Sequence, residues 1–139
     1  MSWSNRFIGI PFRDHGRDFA GADCWGLAWL IYRDELGVTL PDYLGYASAE
    51  EQAEVSSLFR GAVASPIWSP VTTPQPFDIA LFRRGRLTTH VGVVVSPGLM
   101  IHVEGEDCAK VVSYRSGAWL QRLAGHYRHV SRVLEGGVQ

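Results

Sequence analysis

The sequence has little that could bind it to a polyanion, a membrane or a disulfide scaffold. Its 13 Lys and Arg stand against 14 Asp and Glu, a net charge of -1 with pI ≈ 6.5. That balance removes the electrostatic case for nucleic acid or an anionic membrane surface. No apolar run approaches the roughly 20 residues that span a bilayer. Two cysteines, Cys24 and Cys108, are too few for a disulfide framework, and no CxxC pair offers a thiolate zinc motif. The opening Met1-Ser2-Trp3-Ser4-Asn5-Arg6 lacks the basic-then-apolar build of a signal peptide. The expectation is a protein made in the cytoplasm, carried by something else to any target outside.

What is present is a dense apolar inventory: 46% hydrophobic residues, with 5 Trp, 5 Tyr and 6 Phe in 139 residues. This fits one compact domain over residues 1–139 with a sizeable core. Residues 3–22 read as an irregular lead-in, since Pro11 and the nearby glycines forbid a long helix. The lead-in runs into Gly21-Ala22-Asp23-Cys24-Trp25-Gly26-Leu27. From Asp23 to Leu36, Cys24, Leu27, Ala28, Ile31 and Glu35 recur at helical spacing, widened by Trp25, Trp29 and Tyr32. Asp23 is the expected N-cap and Gly37 the stop. Cys24 therefore sits in the first turn, where backbone dipoles favour a thiolate. Helix position alone leaves two readings open: a small buried core residue or a nucleophile.

Ser48 to Glu51 reads as a capping box opening a second helix from about Ala49 to Arg60, stopped by Gly61. Residues 65–76, with four prolines, read as a loop. The second half alternates, with strands expected at Asp78–Phe82, Thr89–Val95, Leu99–Glu104 and Lys110–Tyr114, joined by tight turns into an antiparallel meander. Arg83, Arg84 and Arg86 read as a solvated hairpin tip. A short helix near Ala118–Leu123 and a strand near Tyr127–Val133 complete the chain. Helices first and sheet afterwards indicate an α+β fold, a helical half packed on a central antiparallel sheet.

The middle hairpin carries the second candidate group. Along Thr89–Val95, His90, Gly92 and Val94 share one face; along Leu99–Glu104, Met100, His102 and Glu104 do. A three-residue Ser96-Pro97-Gly98 turn would place Gly92 opposite His102 and His90 opposite Glu104. His90 and His102 then become diagonal neighbours roughly 7–8 Å apart, with open space expected beside Gly92. Two histidines on one face suit a base with its orienter, a metal pair, or plain surface polarity. A zinc site from Cys24, His90, His102 and Cys108 would draw on scattered elements with no close-spaced pair; no metal and no cofactor are expected. Acids flank Cys108, which makes it the weaker nucleophile. His15, His126 and His129 join no constellation.

A cysteine peptidase needs a thiol, an imidazole within reach, and a third group fixing the imidazole. The order Cys24, His90, His102 meets that need. With it, the sequence resembles the NlpC family of papain-like cell-wall cysteine peptidases, and within it the small phage-tail and gene-transfer-agent members. The resemblance rests on Ile8-Gly9-Ile10-Pro11-Phe12-Arg13-Asp14, Asp23-Cys24-Trp25-Gly26-Leu27, His90-Val91-Gly92-Val93-Val94 and Met100-Ile101-His102. It implies a papain-like fold, Cys24 as nucleophile, His90 as general base and His102 as its orienter. It also implies cleavage of peptide bonds in the peptidoglycan stem, often beside D-γ-glutamate, and partners among phage-tail proteins at the cell wall. Substrate-binding candidates are Asp23, Trp25, Phe12 and Glu104, with Asp23 reading a free amine of the stem. The charge of Asp23 opposes a Cys24 thiolate, and a substrate ammonium would relieve that tension. Two positions depart from the family pattern: Trp25 stands where Ser is common, and Phe12 where Tyr is. Their missing hydroxyls open two alternatives, a structural tail-assembly protein keeping the fold without turnover, and an amidase or acyl-transfer enzyme using the same thiol.

Overall fold

The computed structural model describes residues 2–42 and 52–132. The expected capping box at Ser48 to Glu51 falls outside them. The lead-in opens with a 3-10 turn, Trp3–Phe7, and forms a small hairpin of β1 (Arg17–Asp18) and β2 (Gly21–Ala22). Helix α1 (Cys24–Ile31) follows and widens into a π-type turn at Tyr32–Leu36. As the sequence indicates, Asp23 caps α1, and Gly37 ends it in the left-handed conformation at φ 66°. Helix α2 (Gln52–Ala64) runs through Gly61 instead of stopping there. Gly61 has right-handed backbone space like its neighbours, so it costs helix propensity without forcing a break.

The strands are β3 (Trp68–Val71), β4 (Ile79–Arg84), β5 (Leu87–Ser96), β6 (Leu99–His102) and β7 (Lys110–Ser113), then helix α3 (Gly117–Arg122) and β8 (Leu123–His129). They form one six-stranded antiparallel sheet in the order β3-β8-β4-β5-β6-β7. The meander β4 to β7 agrees with the reading from alternation. Two features differ. The proline-rich stretch read as a loop contains β3, and Pro70 is tolerated because β3 is an edge strand. The last strand starts at Leu123, not Tyr127, and lies inside the sheet between β3 and β4.

The β5–β6 register is the one expected, reached by a different turn. Val93 pairs with Ile101 and Val94 with Met100, but Ser96 pairs with Leu99, so the turn is two residues with a bulge at Val95. Pro97-Gly98, with Gly98 at φ 84°, suits a type II turn. The bulge absorbs the missing turn residue and keeps both histidines on one face.

Both faces of the sheet are covered. Val91, Val93, Ile101 and Val103 pack against Leu27, Ala28 and Ile31 of α1 in the main core. On the other face Ala80, Phe82, Val94, Met100 and Tyr114 make a smaller cluster joined by Trp119 of α3. The space expected beside Gly92 is filled: a Cβ there would meet Met100 Sδ at 2.4 Å. The lead-in is fastened to the loop after β6 through Gly9 N–H to Ala109 O (2.8 Å), Ala109 N–H to Ile10 O (2.7 Å) and Phe12 N–H to Asp107 O (3.0 Å).

Candidate active site

Cys24 is the first residue of α1, and the chain around it is heavily anchored. Asp23 Oδ1 accepts the Gly26 N–H at 2.8 Å, satisfying a free donor of the first turn. The same oxygen meets Arg17 Nη1 at 2.9 Å, and Oδ2 accepts the His15 N–H at 3.0 Å. Asp23 is 1% exposed. Its charge is therefore balanced within the protein by the partly buried guanidinium of Arg17, an ion pair in addition to the substrate ammonium expected from the sequence. Gly26 is required by crowding: a Cβ there would sit 1.8 Å from the Gly16 carbonyl oxygen.

The backbone N–H groups of Val91 and Trp25 favour the thiolate form of Cys24. The first of these lies one residue from His90 on β5. Burial pushes the Cys24 thiol up to about 12, and the Asp23 charge adds to this; the two N–H groups and Arg17 oppose it. The helix-terminus argument for a resting thiolate is thus outweighed by burial.

His90 and His102 meet edge to edge. His90 Nε2 lies 2.9 Å from His102 Nδ1, with ring centroids 5.0 Å apart and planes at 86°. Both are buried. Burial, then His102, Arg122 and Arg84, hold His90 well below the usual histidine range. Burial and then Lys110 bring His102 down to about 4, partly opposed by Asp107. Both rings are neutral at pH 7, and Nδ1 of His90 is the nitrogen left outside the pair.

Cys24 and His90 line a single cleft of about 650 Å³. Phe12 and Val103 supply apolar lining, and Arg84, Thr89, Glu104, Glu106 and Asp107 supply polar lining of both charges. A helix-terminal thiol, an imidazole oriented by a second imidazole, and an open cleft form the outline of a nucleophile–base site.

The NlpC/P60 family model matches residues 9–128, a span holding α1, both histidines and the cleft walls. The chain belongs to the NlpC/P60 family. Among curated proteins it is similar to the murein DD-endopeptidase MepS/murein LD-carboxypeptidase of Escherichia coli, from strain K12 and from O157:H7. Identity is 25% over 126 residues in each case, covering 91% of this chain and 57% of the relative. The chain thus spans little more than half the length of those relatives. Among solved structures, an NlpC/P60 family protein from Bacillus cereus has a TM-score of 0.66 at 22% identity, covering 91% of this chain and 38% of that one. The NlpC/p60 domain of the peptidoglycan hydrolase SagA has a TM-score of 0.60 at 18% identity, covering 89% and 90%. These likenesses match the α+β, NlpC-type architecture expected from the sequence.

Within this NlpC/P60 domain, the residues marked for substrate binding separate into two pairs. Phe12 and Glu104 line the cleft. Asp23 and Trp25 do not. Asp23 is committed to Arg17 and to the backbone. Trp25 is 2% exposed, packs edge-on against Trp68, and donates Nε1–H to Pro41 O at 2.9 Å. The replacement of the common Ser by Trp25 therefore changes the core, not the cleft. Glu104 lies beyond the end of β6, so the His90–Glu104 pairing is not part of the ladder.

Sequence reasoning missed Arg17 and Trp119. Nothing in residue type or spacing marks these two, because their partners come from other elements. Arg84 is exposed beside the Gly85-Arg86 tip, in keeping with a solvated hairpin, and it also lines the cleft. His126 bonds Tyr114 Oη at 2.8 Å and His129 packs between Tyr32 and Trp68. Among the described residues no group of three or more His, Cys, Asp or Glu is placed to hold a metal ion.

Proposed function

We propose that the chain is a thiol hydrolase of peptidoglycan stem peptides, with Cys24 as nucleophile, His90 as general base and His102 as orienter. The observation that carries this reading is the shared cleft of Cys24 and His90, with His90 Nε2 held by His102 at 2.9 Å. The resting pair is neutral. Attack by sulfur on the scissile carbonyl is coupled to transfer of the thiol proton to His90 Nδ1, and the imidazolium then protonates the leaving amine. The Cys24 backbone N–H, at the start of α1, is available to the oxyanion. Water next attacks the thioester carbonyl, giving its proton to His90 and releasing the carboxylate product and the thiol.

The cleft is bipolar. Arg84 suits a carboxylate, while Glu104 and Glu106 suit an ammonium. Stem peptides carry both groups, and the relatives named as murein endopeptidases act on that polymer by their names. Placement on a phage tail or tail-like particle, with tail proteins as partners, is supported by the sequence resemblance alone.

The test is incubation of the protein and of Cys24→Ala with purified peptidoglycan, with released fragments identified by mass spectrometry. New amino and carboxyl ends within the stem are expected from the native protein and none from the variant. Equal fragments from both would refute the assignment.

A further inference from the structure

The histidine pair poses a hydrogen-bonding problem that no oxygen among the described residues answers. His102 is 1% exposed, and its Nε2 is buried with no hydrogen-bond partner among the described residues. The other nitrogen, Nδ1, is engaged with His90. A buried ring nitrogen without a partner is costly in either protonation state. What packs beside the ring is the indole of Trp119. Its centroid lies 4.9 Å from that of His102 with planes at 77°, a T-shaped arrangement, and 5.3 Å from that of His90 at 31°.

We infer that Trp119 is a positioning residue for the base: its ring face receives the Nε2–H of His102 and thereby fixes the direction of the histidine–histidine hydrogen bond. The pair can be wired in two ways. In one, His90 Nε2–H donates to His102 Nδ1, His102 carries its proton on Nε2, and His90 Nδ1 is bare and able to take the thiol proton. In the other, His102 Nδ1–H donates to His90 Nε2, His90 carries its proton on Nδ1, and it cannot act as a base. The second wiring also turns the lone pair of His102 Nε2 toward the negative face of an indole. An N–H directed at that face is weakly attractive. The indole thus selects the wiring that leaves His90 competent.

Helix α3 holds the indole in place. Arg122 stacks on Trp119 with its guanidinium carbon 4.6 Å from the ring centroid, and its Nε donates to Arg83 O of β4 at 2.9 Å. The charged groups that act most on the pair are Arg122 from α3, Arg84 from β4, Lys110 from β7 and Asp107 from the loop before β7, with Glu104 and Glu106 lining the same cleft as His90. Burial first, and then the cations, keep a proton off the pair near neutrality.

This inference deepens the proposed function and rests on it for its catalytic consequence, but its structural half is tested independently. Nitrogen-15 spectra of histidine-labelled protein at pH 7 are expected to show His102 protonated at Nε2, with that proton shifted upfield by the indole ring current. Trp119→Phe should preserve both signatures. Trp119→Leu should mix the tautomers and lower kcat about tenfold with KM changed less than twofold, since binding is untouched. A native His102 protonated at Nδ1 overturns the inference, as does a folded Trp119→Leu protein with the native tautomer. Should Trp119→Leu fail to fold, the native and Trp119→Phe spectra decide. Should the native protein leave peptidoglycan uncut while showing the Nε2–H signature, the activity is refuted and the wiring stands.

Discussion

Cys24 is a guarded thiol. Burial and the Asp23 carboxylate hold its proton on, against the pull of two backbone N–H groups and Arg17. In the proposed mechanism the proton is released when a carbonyl is in place and His90 can take it. Alkylation by iodoacetamide at pH 7 is therefore expected to be at least about tenfold slower at Cys24 than at free cysteine, with the rate still climbing through pH 9. A rate above that of free cysteine would show a resting thiolate and remove the neutral-pair mechanism. The same residue scale explains why Trp25 is tolerated beside Cys24. Its side chain faces the aromatic core and leaves the cleft to Phe12, Arg84 and Glu104.

At the scale of elements, the site depends on how closely the lead-in crosses the start of α1. Gly16 O lies where a Cβ of residue 26 would go. Gly26→Ala should gain up to about 1 kcal/mol of helix propensity and lose more to overpacking against backbone, for a net cost of about 2 kcal/mol. Urea unfolding measures this, and an unchanged or raised midpoint would show that the lead-in yields easily. Helix α1, its cap and its stop were legible because they are local: Asp23, the helical spacing and Gly37 all lie within one stretch. The histidine face was legible because strand alternation is a period-2 signal, and the meander because its turns are short. The interior position of β8 and the strand at Trp68–Val71 were not, since edge and centre are decided by pairing between residues far apart in the chain, such as Trp68 with His129 and Ile79 with Tyr127. Nor was the Arg17–Asp23 pair, whose long cation gives no periodic signal, or Trp119, whose role appears only once α3 is laid on the sheet.

For the whole molecule, buried neutral histidines make acid a denaturant. Burial lowers His90, His102, His126 and His129 below the ordinary histidine value. A folded pKa below the unfolded one means that stability is complete above about pH 6.5 and is lost as pH falls, because the unfolded chain takes up protons first. For His102 the window runs down to about 4, a contribution on the order of 3 kcal/mol. Urea midpoints should fall between pH 6.5 and 4.5, and His102→Asn should flatten part of that slope. Equal slopes in the two proteins would place the acid sensitivity elsewhere.

The strand made last, β8, sits inside the sheet with β3 on one side and β4 on the other. The polypeptide leaves the ribosome from its amino end, so α1, β4, β5 and β6 emerge before the strand that joins β3 to the others. During synthesis both histidines and the cysteine exist as sequence while the sheet is still in two pieces, with a gap where β8 will enter. Completion of the sheet waits on β8, and a ribosome that stalls before Leu123 leaves the facing edges of β3 and β4 open.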